Sequence, residues 1–353
     1  MKVLVTGATG LLGGYLVRTL LEHGYSVRAL VRPSSHLGSL SARPVDVVIG
    51  DILVPDGRLL EACTGCDMVF HAAAYFAYTG QTDSTLLDTA LIGTRNILLA
   101  CEQADVRRTL VTSSSVVFGY GNASDCLIDE TAAVKNGDDV PYVAAKTAQH
   151  LAALSIARTI RTEVLMACPT IILGETTAPL GPSNGFVVSY LRDPFHCTFP
   201  GGCNIVRAED VAEGHLMIAR TGRANESYLL GSANLTWREI HTEISRLVGL
   251  PEPKLELNHT LAYLAASADE LRSYFSCETS LSTRTQASMI GRYYWYSHEK
   301  AKALGYRPQS GASTLLETVS WLTTSQFVSR ETRASLSLSP DIFRYRSSRA
   351  KGG

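Results

Sequence analysis

Short apolar runs alternate with amphipathic stretches from the first residues to about residue 220. Val3–Val5 form an apolar run, and Leu12, Leu16 and Leu20 then recur at the spacing of one helix face. The alternation predicts strands at 2–6, 26–31, 45–49, 68–72, 108–112, 163–167 and 204–207. It predicts helices at 11–23, 57–63, 83–104, 141–160, 184–192 and 209–220. Strands that alternate with helices are typical of an α/β fold, here a doubly wound parallel sheet with helices on both faces.

The pattern changes after Cys168, where Pro, Gly and aromatic residues interrupt the amphipathic segments. We therefore expect two structural units in the body of the chain. The first is a sheet domain of residues 1–167 and 204–235. The second is a smaller C-terminal lobe of residues 168–203 and 236–325, which lies over the carboxyl edge of the sheet.

The last segment, residues 326–353, differs in composition from the rest of the chain, because it is rich in serine and basic residues. Such a composition at a terminus predicts a flexible or loosely packed tail. Phe343 and Tyr345 leave open that this tail docks onto the body of the protein or onto a second subunit.

A glycine-rich segment, Thr6–Gly13, joins the first predicted strand to the first helix. A turn that approaches a phosphate needs residues without a Cβ at the bend, at the closest approach and where helix meets strand. Gly7, Gly10 and Gly13 have the required spacing. Because a helix N-terminus favours anions, we expect this turn to bind the pyrophosphate of a dinucleotide. The other candidate contacts in the segment are Thr9, Leu11 and Leu12.

Tyr142 and Lys146 lie four residues apart in a predicted helix that starts at Pro141, so they share a helix face. A phenol with a pKa of about 10 transfers its proton poorly near neutrality, and a neighbouring ammonium lowers that pKa. The alternative is a chance pair on an exposed helix. The functional interpretation gains support from Ser113–Ser115, which follow the predicted strand Thr109–Thr112 where ligands bind in parallel sheets.

Together these segments resemble the extended short-chain dehydrogenase/reductase superfamily, from Met1 to about Leu322. Within it the chain is most similar to the dihydroflavonol-reductase-like and hopanoid-associated sugar epimerase-like branches. Besides Thr6–Gly13, the matching segments are Gly50–Ile52, Phe70–Ala74, Gly93–Asn96, Ser113–Gly119, Tyr142-x-x-x-Lys146 and Glu209–Ala212. The resemblance implies a Rossmann fold. One position departs from the family pattern, since Ala90 stands where the family often has Asn.

The resemblance implies roles for individual residues. Tyr142 would be the general acid/base and Lys146 its partner. Ser114 would be the hydroxyl that binds the carbonyl, with Ser113 and Ser115 as alternatives. The other implied cofactor contacts are Asp51 at the adenine, Pro169 near the nicotinamide, Ile52, Ala72, Ala73, Ala74, Thr170 and Lys146.

The end of the second predicted strand selects between NAD and NADP. NAD enzymes carry Asp or Glu there, whereas an Arg accommodates the 2′-phosphate of NADP. The segment Val27–Ser35 contains no carboxylate, and Arg32 stands at the strand end. We therefore expect NADP (NADPH) rather than NAD, because a guanidinium binds phosphate well. Arg28 is a weaker second candidate, and the alternative is that Arg32 is a solvated surface charge.

Composition narrows the class of protein. The chain has 353 residues, 45% of them hydrophobic, which is enough for a large core. Its net charge of −1, from 32 basic and 33 acidic residues, predicts no nucleic-acid or membrane-surface partner. No apolar run is long enough to span a bilayer and the first strand begins at Lys2, so we expect a cytoplasmic protein without a signal peptide. Eight scattered cysteines fit a reducing compartment, and we expect no metal site.

The sequence predicts an NADPH-dependent reductase of a ketone or aldehyde, and a sugar epimerase/dehydratase with transient hydride transfer is the alternative. No carboxylate follows Ser115, which disfavours a dehydratase, and the Tyr142/Lys146 pair disfavours a non-catalytic NADP-sensing protein. Aromatic residues at the carboxyl edge either bind a hydrophobic or ring-bearing substrate or pack the lobe. These residues are Tyr75, Phe76, Tyr78, Phe186, Tyr190, Phe195 and Phe199. The resemblance implies a homodimer that pairs through the helix bearing Tyr142.

Overall fold

A parallel sheet of seven strands forms the centre of the protein, whose computed structural model describes residues 1–73, 83–134, 140–262, 264, 266–267 and 289–352. Numbered along the chain, the strands are β1 (Lys2–Thr6), β2 (Ser26–Val31), β3 (Val45–Ile49), β4 (Met68–His71), β5 (Arg108–Thr112), β6 (Glu163–Pro169) and β9 (Ser227–Leu230). Their order across the sheet is β3-β2-β1-β4-β5-β6-β9, and each neighbouring pair is parallel. The predicted doubly wound α/β fold is confirmed.

Helices cover both faces of this sheet, and further helices pack in the C-terminal part of the chain. In chain order, the α-helices of the described residues are α1 (Leu11–Glu22), α2 (Gly57–Cys63), α3 (Asp83–Asp88), α4 (Thr94–Gln103), α5 (Pro141–Ala157), α6 (Pro182–Arg192), α7 (Ala208–Thr221), α8 (Trp237–Val248), α9 (Glu299–Ala303), α10 (Gly311–Leu322), α11 (Arg330–Ala334) and α12 (Pro340–Gly352). Successive side chains of a strand point to opposite faces. Accordingly Val3 and Val5 of β1 join the core under α1 and α7, whereas Leu4 joins the core under α2, α4 and α5.

The strand order reverses between β1 and β4, because the chain builds outward from β1 in one direction and from β4 in the other. In open α/β sheets the crevice beyond the carboxyl ends at such a point holds the ligand. Thr6, His71 and Thr112 end β1, β4 and β5 and therefore lie at this edge. Fold topology alone places the glycine turn and the serine segment next to the same crevice.

A second, four-stranded sheet lies beside the first. It contains β7 (Ile171–Leu173), β8 (Gly202–Arg207), β10 (Ala233–Thr236) and β11 (Tyr293–Tyr294). Strand β10 pairs with β8 in antiparallel fashion, and β7 and β11 pair with it in parallel. The chain thus passes from the seven-stranded sheet at β6 to the second sheet, returns for β9 and leaves again for β10, so the two sheets are interleaved along the sequence.

The position of β8 differs from the sequence expectation. The predicted strand 204–207 was assigned to the parallel sheet, but the structure places it in the second sheet, and β9 is the seventh strand instead. The apolar pair Ile205-Val206 predicts a buried strand in either sheet, since a short apolar run does not identify its partner. The division of the body into two units stays a prediction.

The C-terminal segment lies against the body in this structure. Within residues 326–352, α11 and α12 are helical, and Val328 and Ile342 are fully buried. The Arg346 guanidinium donates to the Ser320 carbonyl of α10 at 2.7 Å. The sequence predicts a flexible or loosely packed tail and leaves open its docking onto the body or onto a second subunit. In this structure the segment packs against the body. Among the described residues, no helix combines the length and the apolar character needed to cross a membrane.

Candidate functional site

The glycine turn lies directly beyond β1. Gly7 has a φ of +71°, in the left-handed region, and a Cβ there would lie 2.7 Å from the Ala73 backbone nitrogen. A Cβ on Gly13 would lie 2.0 Å from the Gly7 carbonyl oxygen. Such distances are shorter than real carbon contacts, so both positions require glycine. The two glycines let the start of α1 sit against the ends of β1 and β4.

The N-terminus of α1 is open to the large cavity of the protein. Gly10 is its N-cap and provides no side-chain cap, and the first turn contains no acidic residue. The first N–H groups of a helix lack partners within the helix and attract anions. The cavity lining includes Gly7, Gly10, Leu11, Leu12 and Gly13 but not Thr9. The turn therefore fits the pyrophosphate of a dinucleotide, which it would hold through backbone N–H groups.

Tyr142 and Lys146 occupy successive turns at the start of α5, where Pro141 is the first helical residue. Both line the cavity. Burial raises the pKa of Tyr142 to about 12, although a hydrogen bond with Ser114 opposes the increase. The sequence predicted instead that Lys146 lowers this pKa. In this structure the net shift is upward, because burial is the largest influence on the phenol, and a contribution from Lys146 stays a prediction.

Each of the three serines after β5 has a different partner. Ser113 Oγ lies 2.9 Å from His150 Nδ1 in the protein interior. Ser115 hydrogen bonds to Tyr296, whose hydroxyl donates to the Gly119 carbonyl at 2.7 Å. Ser114 hydrogen bonds to Tyr142. Of the three candidates, Ser114 is thus the one that the structure brings together with Tyr142 at the cavity.

The Lys146 ammonium is held from two sides. Its Nζ donates to the Thr112 carbonyl at 3.1 Å and to Gln149 Oε1 at 2.9 Å. Lys146 is 5% exposed, and burial lowers its pKa to about 8. Gln149 belongs to none of the motifs in the sequence. The available signal was its position three residues after Lys146, which puts the two side chains on one helix face.

The cavity measures about 770 Å³ and extends from the glycine turn into the lobe. All four aromatic residues predicted after α5 line it. Besides Tyr142, the Phe, Tyr and Trp residues of the lining are Phe186, Tyr190, Phe195, Phe199, Trp237, Tyr294 and Tyr296. Phe186 and Trp237 meet edge to face with ring centroids 5.4 Å apart. The predicted residues Tyr75, Phe76 and Tyr78 lie outside the described residues. The described wall offers apolar and aromatic surface to a ligand.

A neutral histidine adds a polar group to this aromatic wall. His241 of α8 stacks on Tyr190 with centroids 4.2 Å apart and an interplanar angle of 2°. Its Nδ1 lies 3.1 Å from Thr198 Oγ1. Burial lowers the pKa of His241 to about 3, so the ring is uncharged near neutral pH. The sequence does not predict a role for His241, since a single histidine in an amphipathic helix carries no distinctive pattern.

The strand-end arginines have different surroundings. Arg32 is exposed just beyond β2, and within the described residues its side chain has no hydrogen-bond or ion-pair partner. Arg28, the weaker candidate, donates to Asp46 Oδ2 at 2.8 Å. Its guanidinium also donates to the carbonyls of Glu61, Ala62 and Thr64. Arg28 is therefore occupied within the protein, whereas Arg32 is available to a phosphate.

The remaining predicted cofactor residues differ in whether they line the cavity. Ala72, Pro169 and Thr170 line the cavity, and the Thr170 hydroxyl donates to Asn204 Oδ1 at 2.8 Å. The Ala73 N–H donates to Thr6 Oγ1 at 3.2 Å and does not line the cavity.

Asp51 and Ile52 follow β3 away from the cavity lining. Asp51 accepts a hydrogen bond from the Leu53 N–H at 2.9 Å, and Ile52 packs where a Cβ on Gly93 would stand. Ala74 lies outside the described residues. Ala90, where the family often has Asn, lies in a π-helical turn, Thr89–Gly93, that packs against α5.

Comparisons with known proteins agree with this fold. The model of the NAD dependent epimerase/dehydratase family matches residues 3–231. A Synechocystis sp. protein named as a dihydroflavonol 4-reductase is 33% identical over 257 residues, which cover 71% of this chain and 73% of that protein. Sterol demethylase protein B of Methylococcus capsulatus is 27% identical over 326 residues, which cover 91% of this chain and 98% of that protein.

A solved structure shares the architecture. The crystal structure of a nucleoside-diphosphate-sugar epimerase from Pseudomonas aeruginosa has a TM-score of 0.75 with this chain at 23% identity. The match covers 93% of this chain and 99% of that chain. At this identity the similarity concerns the fold.

Proposed function

The chain belongs to the NAD dependent epimerase/dehydratase family, and from this premise we propose that it is an NADPH-dependent reductase of a ketone or aldehyde on a hydrophobic or ring-bearing small molecule. The family and the relatives named as reductases make the chain an enzyme of the NAD(P)-dependent oxidoreductase type. The observation that carries the finer proposal is the Ser114–Tyr142 hydrogen bond at the point where the glycine turn and the aromatic cavity meet.

The proposed chemistry assigns one task to each side chain. When bound, the nicotinamide would supply hydride to the carbonyl carbon of the substrate. Tyr142 gives its proton to the carbonyl oxygen, and Ser114 donates a hydrogen bond that orients that oxygen. Lys146 stabilises the phenolate that Tyr142 becomes, because a nearby ammonium favours the charged form of the phenol.

The cavity lining supports a substrate without a diphosphate. Among its described residues, Lys146 and Arg192 are the two Lys or Arg side chains, and Lys146 already donates to Gln149 and Thr112. Arg192 donates to the Phe327 carbonyl at 3.2 Å. A nucleoside diphosphate is normally held by several cations. Two relatives carry names that refer to ring compounds, a dihydroflavonol and a sterol, and an aromatic wall suits such molecules.

The preference for NADPH rests on Arg32. Its exposed guanidinium has no partner within the described chain, and it stands at the end of β2 where a 2′-phosphate is bound in this fold. The expectations of a homodimer and of a cytoplasmic location stay predictions from the resemblance and the sequence.

The alternative is an epimerase that keeps NAD bound and uses it transiently. The family description and the fold shared with the sugar epimerase favour this possibility. The two proposals differ in the state of the purified protein. An epimerase should be recovered with tightly bound NAD and should cause no net oxidation of NADPH, whereas a reductase should lack stoichiometric cofactor.

The decisive experiment follows NADPH absorbance with a panel of ring-bearing ketones and aldehydes. We expect one or more of them to be reduced, and Tyr142→Phe to lower kcat by about 10²–10⁴-fold because the proton donor is lost. The NADPH dissociation constant should change little in this variant, which is the control for folding. Turnover at the wild-type rate in Tyr142→Phe would remove the proposed acid.

A further inference from the structure

A chain of buried hydrogen bonds runs from Lys146 to β1. Gln149 Oε1 accepts from Lys146 Nζ at 2.9 Å, and Gln149 Nε2 donates to Thr94 Oγ1 at 2.8 Å. Thr94 Oγ1 lies 3.2 Å from His71 Nε2, and His71 Nδ1 lies 2.8 Å from Thr6 Oγ1. All of these side chains are at most 5% exposed. The chain crosses four elements of the protein, from α5 through α4 and β4 to β1.

The donors in this chain can all point the same way, from Lys146 toward Thr6. An amide nitrogen only donates, so Thr94 accepts from Gln149 and its own hydroxyl hydrogen can be given to His71 Nε2. Burial lowers the pKa of His71 to about 3, so the ring is neutral. When Thr94 donates to Nε2, the ring proton is on Nδ1 and is donated to Thr6 Oγ1. A flipped Gln149 amide would place its NH₂ group against the Lys146 ammonium. The chain therefore fixes the amide with its oxygen toward Lys146.

The ammonium itself has three N–H groups. One donates to the Thr112 carbonyl and one to Gln149 Oε1. Within the described residues the third has no acceptor, and Lys146 lines the cavity. Because the ammonium is tetrahedral, two fixed hydrogen bonds also fix the direction of the third N–H.

We propose that Gln149 is a positioning residue, which acts with the Thr112 carbonyl to aim the third N–H of Lys146 at the reacting groups in the cavity. This inference rests on the proposed function, since it assumes that Lys146 assists Tyr142 and the coenzyme. A second consequence is that the amide oxygen helps to keep the buried ammonium charged. Without it, the charge would face desolvation with one carbonyl partner fewer.

The groups around Lys146 allow its deprotonation to be followed through the pH dependence of activity. Among the residues that the structure describes, the titratable groups that face Lys146 are Tyr142 and His150 on α5, His71 on β4 and Cys168 on β6. Burial lowers the pKa of both histidines and raises the pKa of Cys168 to about 12, so these groups are uncharged near pH 8. Loss of activity above pH 8 therefore reports mainly the loss of the Lys146 proton.

The test compares Gln149→Leu with Gln149→Glu. Leu removes the acceptor, so kcat should fall about tenfold or more and the alkaline limb of its pH profile should move down by about one unit. Glu keeps an acceptor and adds a negative charge, so the limb should move to higher pH. The pH dependence of the NADPH dissociation constant, which needs no substrate, should shift in the same two directions. Thermal unfolding of each variant measures stability separately.

A merely structural Gln149 would lower the unfolding temperature and leave both pH profiles in place, and that result would overturn the proposal. If Gln149→Leu does not fold, an unshifted limb in Gln149→Glu has the same meaning. Failure of the positioning role of Gln149 can be distinguished from failure of the proposed reductase function. Wild-type turnover in Tyr142→Phe combined with shifted NADPH-binding profiles in the Gln149 variants would reject the function and retain the positioning role.

Discussion

Burial sets the protonation states of the residues at the site. It raises the pKa of Tyr142 to about 12 and lowers that of Lys146 to about 8, so each group is pushed toward its uncharged form. Near pH 7 the phenol therefore keeps its proton while the ammonium remains mostly charged. A protonated phenol beside a cation is the combination that a proton donor to a carbonyl oxygen requires.

Arg32 should decide the coenzyme preference. Arg32→Ala should raise the NADPH dissociation constant by roughly tenfold to a hundredfold, because charge-assisted hydrogen bonds to the 2′-phosphate are lost. The NADH dissociation constant should change by less than about twofold, since NADH has no such phosphate. Both constants can be measured by coenzyme fluorescence.

Arg28→Ala is the control, and it should lower stability without changing the ratio of the two constants. Equal losses for NADPH and NADH in Arg32→Ala would point to another anchor.

The two neighbouring glycines at the start of α1 should respond differently to alanine. In Gly13→Ala the new Cβ would lie 2.0 Å from the Gly7 carbonyl oxygen, so the turn must open. We expect a loss of about 1–3 kcal/mol in the free energy of unfolding and a weakened affinity for NADPH. In Gly14→Ala no heavy atom lies within 4 Å of the new Cβ, and the helix gains up to about 1 kcal/mol from the better helix former. Urea unfolding and NADPH titration of both variants check this contrast, and similar results for the two would contradict it.

At the scale of the elements, local patterns predicted most strands and helices of the parallel sheet, whereas the strand with which each strand pairs could not be predicted. The predicted bounds of β2, β3, β5 and α2 match those of the structure. The single helix predicted over 83–104 is divided into α3 and α4 by the π-helical turn. The sequence pattern does not predict this division, because one added residue in a turn leaves the apolar stripe nearly unchanged. The short strands β7, β9, β10 and β11 were missed, since two to four residues carry little periodicity.

The candidate site shows the same limit. Gly7, Gly13, Ser114 and Tyr142 were predicted from motifs, because each carries a requirement that is local in sequence. Gln149 was not, since its importance depends on partners from other elements of the fold. Hydrogen-bond chains of this kind are tertiary features that single-sequence patterns do not contain.

The C-terminal helix α12 should contribute to stability through one face. Ile342 is fully buried, whereas the adjacent Phe343 is 55% exposed. Ile342→Ala should lower the free energy of unfolding by about 2–5 kcal/mol, because it removes buried methyl groups and leaves a cavity. Phe343→Ala is the matched control and should change it by less than about 0.5 kcal/mol. Equal, small effects in urea unfolding would show that α12 does not dock in solution.

For the whole molecule, buried histidines couple stability to acid. Burial lowers the pKa of His71 and His241 to about 3, and it lowers the pKa of His150 and His215 to about 4. Their unfolded pKa is about 6.5, so between about pH 4 and 6.5 the unfolded chain binds more protons than the folded protein. Their contribution to stability is complete above pH 6.5 and is lost as the pH falls. Glu130, whose pKa is raised by burial, opposes this by at most one proton.

We therefore expect the free energy of unfolding to decrease from pH 6.5 to pH 4.5. Each histidine that takes up a proton on unfolding contributes about 1.4 kcal/mol per pH unit. Urea titrations at several pH values measure the slope, and replacing His215 with Asn should reduce it by about one proton. A stability that stays constant over this range would contradict the burial of these rings.

The interleaved sheets also restrict how this protein can diversify. Strands β7 and β8 of the second sheet lie in sequence between β6 and β9 of the seven-stranded sheet. The residues that form the wall of the cavity are therefore not contiguous in sequence, and they are interrupted by strands of the sheet that would bind the coenzyme. Recombination that exchanged residues 168–203 would cut through β8 (Gly202–Arg207) and would replace β7, with which the remaining part of β8 pairs. New specificities in this lineage should therefore arise by point substitutions at positions such as Phe186 and Trp237, and shuffling of whole segments should yield chains that do not fold.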